Sequence, residues 1–218
     1  MFGKTLKALL VGSTVLAGAS AANAETFRWA FQGDAQTLDP HGLFETLTLG
    51  FQGNIYEGLV IRNEKMETTG ALAEKWENVE PTVWRFTLRK GVKFHDGGDF
   101  KADDVKFSVE RLRTEGSDMK VVAALIKDVK IIDDYTVDLI TPAPTPILPL
   151  QLEIFYIMDK QWAEEHKAVA ATNVKGGDEG NYANLNANGT GPFMVTSRQS
   201  GVKTVLKRNP NYWGELKT

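Results

Sequence analysis

Between Tyr56 and Arg113 two different periodicities meet, and together they limit the fold. Trp84, Phe86 and Leu88 alternate with Arg85, Thr87 and Arg89. A spacing of two puts the apolar groups on one face of a strand and the polar groups on the other. Lys90-Gly91 interrupts the pattern and Val92-Lys93-Phe94 is a short return. Asp96-Gly97-Gly98 is a turn, because glycine supplies the positive φ that such turns need. From Ala102 the spacing becomes three and four, so that Ala102, Val105, Val109 and Leu112 share one helix face. Asp103 and Asp104 in the first turn, and Arg111 and Arg113 at the other end, complement the helix dipole.

The remaining chain mixes the two patterns without a regular βαβ repeat, which predicts an α+β fold. A first strand is predicted over 26–31, with Phe27, Trp29 and Phe31 on one face, and a helix within 43–59 carrying Phe44, Leu47, Phe51, Ile55 and Leu59. A short strand comes next at 59–61 and a one- or two-turn element at 71–76. A helix at 121–125 leads to strands at 129–132 and 136–140. Pro142, Pro144, Pro146 and Pro149 break regular structure. The stretch 154–157 is a buried strand or apolar turn, 159–171 a helix and 172–191 a long polar loop. The stretches 193–196 and 202–207 pair as a hairpin across Ser200-Gly201.

The first 24 residues read as an export leader. Lys4 and Lys7 precede an apolar run too short to span a membrane, and Ala22-Asn23-Ala24 has the small-x-small pattern of a cleavage site, so cleavage is expected before Glu25. The mature chain then has 218 − 24 = 194 residues, and losing Lys4 and Lys7 takes the formal charge from −3 to −5. That acidic balance argues against nucleic acid as a partner. There is no further apolar run of membrane length, so the cleaved chain is not expected to span a membrane. Without cysteine, neither a lipid anchor nor a disulfide is available, and stability must come from packing.

The segments Leu38-Asp39-Pro40-His41, 55–60, 71–76, Trp84 to Asp96, Ala102 to Arg113, Gly189-Thr190-Gly191-Pro192-Phe193 and Arg208-Asn209-Pro210-Asn211-Tyr212-Trp213 occur in an order that resembles one family. These are the extracytoplasmic solute-binding proteins, family 5, of peptide, nickel and oligosaccharide ABC importers. The chain departs from the family at Gly98-Asp99 and at Lys101, where an N-capping Thr or Asn is usual. Lys101 has no acceptor, so Asp99 is expected to cap the helix. The resemblance implies a periplasmic, two-lobed fold. Residues 25–56 and 188–218 would belong to the first lobe and 57–187 to a family-specific excursion. The second lobe is expected to be absent, making this a fragment or truncated chain that binds no solute at micromolar affinity by itself. It also implies that Leu43, Phe44, Glu45 and Thr46 line the solute cleft, with Glu45 facing a cationic group and Phe44 an apolar one. The implied partners are a small solute (a peptide, opine or sugar-like molecule) and an inner-membrane ABC permease.

Read as chemistry, the residues propose no cofactor and no metal, since three isolated His and no Cys give no zinc spacing. His95-Asp96 are strand neighbours pointing to opposite faces and so do not form a dyad with each other. A secreted hydrolase using His95 or His41 is the alternative to a binding protein, and a non-functional remnant is a third reading. Trp29, Trp76, Trp84 and Trp213 read as core residues rather than ligand platforms.

Overall fold

A computed structural model describes residues 26–178 and 180–215; the leader expected over 1–24 lies outside them. Of these, residues 26–31 fall in one unit and residues from Gln32 onward in another. In the first, the strand expected over 26–31 is not formed. Trp29 and Phe31 instead stack ring on ring at 5.6 Å, and Trp29, expected in the core, is exposed. Alternation does not hold a strand by itself, because its N–H and C=O groups need a neighbouring strand.

The second unit is built on an antiparallel sheet of β3 (Ala73–Glu80), β4 (Val83–Leu88), β6 (Thr136–Ile140) and β5 (Asp128–Asp133), in the order β3-β4-β6-β5. β4 is central, so Phe86 pairs with both Trp76 and Val137. Phe86 and Leu88 are buried, as the alternation predicts. Helix α2 (Ala102–Arg111) brings Ala102, Val105 and Val109 into the same core, with Leu112 just beyond it.

Two expectations fail in this sheet. The 71–76 stretch is not a helical turn but the start of β3, an edge strand whose exposed Glu74, Lys75, Glu77 and Glu80 hide its period. Such charges on an edge discourage pairing with another chain. Arg85 is not simply solvated either: its Nε and Nη2 donate to both oxygens of Asp138 at 2.7 and 2.8 Å across the strand pair, and the Asp138 side chain is buried.

Helix α2 begins at Lys101, but Asp99 does not cap it, because Asp99 pairs with the Lys93 ammonium at 2.6 Å. Asp104 does the work from inside the first turn. Its Oδ2 accepts from the Lys101 N–H at 2.8 Å, and its Oδ1 accepts from the Lys160 N–H at 3.0 Å, where α5 (Lys160–Glu165) begins. α5 is much shorter than the 159–171 helix expected, ending where Lys167 takes a positive φ of 56°.

The smaller elements flank this core. β1 (Val60–Arg62) and β2 (Thr68–Gly70) form one hairpin; β7 (Phe193–Gln199) and β8 (Lys203–Arg208) form another, turning at Gly201 with φ 71°. Helices α3 (Lys120–Ala123) and α4 (Leu148–Gln151) are single turns. The Gly189-Thr190-Gly191 strap lies directly on the main chain at Ile55. A Cβ on Gly189 would meet the Ile55 carbonyl oxygen at 2.0 Å, so glycine is required there. Buried Glu57 fastens the strap and the segment after β8: it accepts from Thr190 Oγ1, Tyr212 OH and Trp213 Nε1 at 2.8, 2.9 and 2.8 Å.

The sheet register makes a stability prediction. Phe86→Ala removes a fully buried ring and should cost about 3–5 kcal/mol in denaturant melts. Arg85→Ala should cost a smaller but measurable amount, because it strands the buried Asp138 carboxylate. An Arg85→Ala protein as stable as wild type would refute the assigned pairing.

Candidate functional site

The loop that leads to the site is fixed from behind by a buried ion pair. Asp39 and Arg111 are both fully buried, and all five guanidinium N–H groups of Arg111 are used. Nη1 donates to Asp39 Oδ1 at 2.6 Å and Nη2 to Oδ2 at 2.7 Å. Nε donates to the Ala168 carbonyl, Nη2 also to that of Ala170, and Nη1 also to His41 Nδ1 at 3.1 Å. Asp39 further accepts from the His41 N–H and from Thr172 N–H and Oγ1. Burial opposes ionisation of Asp39, but the Arg111 guanidinium outweighs it and holds the carboxyl well below the usual carboxylate range.

His41 carries the fixation forward. Its Nε2 lies 2.9 Å from the Tyr156 carbonyl. A carbonyl only accepts, so Nε2 bears the proton and Nδ1 receives from Arg111. Burial, and then the nearby Arg111 charge, push the His41 pKa down to about 4. Tyr156 is thereby held at its backbone, while its hydroxyl donates to the Leu49 carbonyl at 3.0 Å.

Leu49 belongs to α1 (Thr46–Gln52), which is shorter than the helix expected within 43–59 and stops at Gly53. Glu45 caps it: Oε1 accepts from the Leu47 N–H and Oε2 from the Thr48 N–H, both at 2.8 Å. These two bonds lower the Glu45 pKa. At the other end, the Gln52 side-chain amide donates to the carbonyls of Thr37 and Asp39, tying the helix to the loop that precedes it.

Phe44, Glu45, Thr46, Leu49, Ile154 and Tyr156 line a concavity of about 420 Å³ in front of this framework. Of the four residues implied by the resemblance, Phe44, Glu45 and Thr46 lie on it, with Phe44 46% exposed. Leu43 is buried and does not line it. Leu49, Ile154 and Tyr156 were not singled out in the sequence; the apolar 154–157 stretch was visible, but not its meeting with α1. Glu45 keeps one lone pair on each capping oxygen, so it can still accept a bond from a cationic group.

The imidazoles of the alternative hydrolase reading are engaged in structure. His95 lies against the glycine strap, with Nε2 donating to the Gly191 carbonyl at 3.0 Å and Nδ1 accepting from the Gly189 N–H at 3.3 Å. His41 has both nitrogens occupied as described.

The family described as "Bacterial extracellular solute-binding proteins, family 5 Middle" matches residues 67–218, well over half of the chain. The chain belongs to this family. Among family 5 relatives, the dipeptide-binding protein of Escherichia coli K12 is 31% identical over 230 residues, 94% of this chain and 41% of the relative. The ABC transporter-associated periplasmic binding protein DppA from Helicobacter pylori, solved with the peptide STSA, superposes with a TM-score of 0.70 at 27% identity. That match covers 84% of this chain and 39% of DppA. MoaA from A. tumefaciens R10, solved with mannopinic acid, gives 0.70 at 29% identity over 83% of this chain and 36% of MoaA. The chain spans 39% of the length of the periplasmic oligopeptide-binding protein OppA of Salmonella typhimurium and 41% of that of the dipeptide-binding protein. Among the described residues no helix is long and apolar enough to cross a membrane.

The neutral His41 predicts a pH effect. Its ordinary pKa is 6.5 and its folded value about 4. The unfolded chain therefore takes up a proton as pH falls through 6.5 that the folded protein refuses until about pH 4. The stability that neutral His41 contributes is full above that window and is lost within it. Burial raises Asp104 to about 6, which works in the opposite direction, so the informative quantity is a difference. The melting temperature of wild type minus that of His41→Asn should shrink steadily between pH 7 and pH 4.5. A constant difference would refute the buried neutral assignment.

Proposed function

We propose that this chain is part of the solute-binding component of a bacterial ABC importer, and that the Phe44–Tyr156 concavity is one wall of its solute cleft. The observation that carries this reading is an aromatic and carboxylate surface held on a buried framework braced by the Asp39–Arg111–His41 hydrogen bonds, in a chain of the solute-binding family. Clefts of this kind pair apolar walls with a few placed polar groups. Phe44 and Tyr156 offer apolar contact, and Glu45 offers an anionic acceptor for an ammonium group. That combination fits a peptide or a related small amphipathic solute, an opine included. On this reading the chain is exported with residues 1–24 removed before Glu25, and a membrane permease receives the solute. Residues 57–187 form the excursion from the lobe of 25–56 and 188–218.

A binding role is favoured over hydrolysis because both imidazoles the alternative would use, His41 and His95, already have both ring nitrogens in structural hydrogen bonds.

The concavity is open, so a solute resting on it keeps one side in water. This chain should therefore bind a dipeptide or tripeptide weakly, with a Kd on the order of 1 mM, about −4 kcal/mol. Titration of 15N-labelled protein with dialanine and trialanine should move the amide signals of Phe44, Leu49, Ile154 and Tyr156. Phe44→Ala should weaken the response severalfold without changing the melting temperature by more than a few degrees. Signals that move elsewhere, or a Phe44→Ala titration identical to wild type, would overturn the assignment of this wall.

A further inference from the structure

A second concavity, of about 400 Å³, is lined by Arg113, Lys120, Ala123, Ala124, Ile126 and Lys127. Its cations come from three places in the chain. Arg113 lies just past α2, Lys120 opens α3, and Lys127 immediately precedes β5. None of the lining residues is acidic. Elsewhere Arg62, Arg85, Lys93, Lys101, Arg111 and Lys160 each meet a carboxylate. Among the described residues, no ion pair engages Arg113, Lys120 or Lys127. Of the acidic groups near in sequence, Asp118 pairs with the Lys175 ammonium at 2.7 Å. Asp128 uses Oδ1 to accept from the Val129 N–H at 2.8 Å, and Glu115 meets Lys120 through its backbone carbonyl at 3.0 Å.

The guanidinium is held in place for use. Arg113 Nη2 donates to the carbonyls of Ile126 at 2.6 Å and Lys127 at 3.1 Å. Those two bonds fix the plane of the group and occupy Nη2, leaving the Nε and Nη1 protons as separate donors that are unbonded among the described residues. A braced guanidinium is already ordered, so it loses little freedom when one of these donors bonds an anion oxygen. Lys120 spends one of its three N–H donors on Glu115, and the Lys127 ammonium has no partner among the described residues. The floor of Ala123, Ala124 and Ile126 supplies no acceptor side chain.

We propose that this hollow is a binding site for a phosphate-type oxyanion, with Arg113 as the fixed cation and Lys120 and Lys127 as flanking charges. The site is independent of the Phe44–Tyr156 concavity and does not rest on the solute-binding reading. The phosphate group has two candidate sources, free phosphate or pyrophosphate in solution and the headgroup of an anionic lipid.

The test uses inorganic phosphate and pyrophosphate titrated into 15N-labelled protein at low salt. In parallel, the protein is co-sedimented with phosphatidylglycerol-containing and pure phosphatidylcholine vesicles. Amide signals of Ala123, Ala124 and Lys127 should shift saturably. Lys127→Glu, whose side chain braces nothing, should weaken binding by at least about tenfold. Arg113→Lys should weaken it too, because a flexible ammonium stem replaces a planar cation held by two carbonyls. Raising the salt to about 0.5 M should weaken it further. Saturation by free phosphate or pyrophosphate assigns a soluble anion, and sedimentation with the anionic vesicles alone assigns a lipid headgroup. No response in either arm, or equal responses from wild type and Lys127→Glu, would overturn the site.

Discussion

The Asp39–Arg111 pair is the contact on which the rest of the arrangement depends. Two charges taken out of water are costly, and a buried pair persists only if every donor and acceptor is met. Here each guanidinium N–H has a partner, and Asp39 accepts five bonds shared between its two oxygens. The partners come from the loop before α1, from the end of α2, and from the 168–172 stretch beyond α5. One ion pair thus gathers segments far apart in sequence. Its consequence for the site is directional: it orients His41, which holds the Tyr156 carbonyl, and Tyr156 then holds Leu49. Phe44, on the other side of the concavity, is held separately, its N–H donating to Asp118 Oδ2 at 2.9 Å.

The chain's later part is fastened by different physics. The Gly189-Thr190-Gly191 strap relies on absent side chains, since its backbone touches that of Ile55 and its amides and carbonyls meet His95. Beyond it, Glu57 is buried beneath Tyr212 and Trp213, with the Arg89 guanidinium 4.2 Å from the Trp213 ring centre. Burial raises the Glu57 pKa, and the three side-chain hydrogen bonds work against that rise. His95, which reads in sequence as a tempting half of a catalytic pair, is part of this fastening.

Periodicity made part of the fold legible in the sequence. The face of Ala102, Val105, Val109 and Leu112, the buried Phe86 and Leu88, and the 193–208 hairpin all have apolar spacings that match their environments. Where an element lacks a buried stripe, the reading failed. β3 is charged at half of its positions, so it read as a one- or two-turn element, and residues 26–31 alternate without a paired neighbour. Arg111 was legible only as a basic residue at a helix end, because its partner lies 72 positions away and no local spacing signals such a pairing. The same holds for the site. The 43–46 stretch came from family resemblance, and three of its residues line the concavity. Tyr156 and Ile154 reach it through tertiary contacts that no window of sequence contains. Glu45 was seen as a ligand group but not as the cap of its own helix, a position more often held by Ser, Thr, Asp or Asn.

The dependence on the buried pair is tested most directly by a double-mutant cycle with Asp39→Asn and Arg111→Met, read from denaturant melts. Each single change leaves a stranded partner and should cost about 3–5 kcal/mol. The double change removes both partners, so it should fall short of the sum by about 2 kcal/mol or more. Losses that add to within about 0.5 kcal/mol would contradict the view that these two residues act as one structural unit.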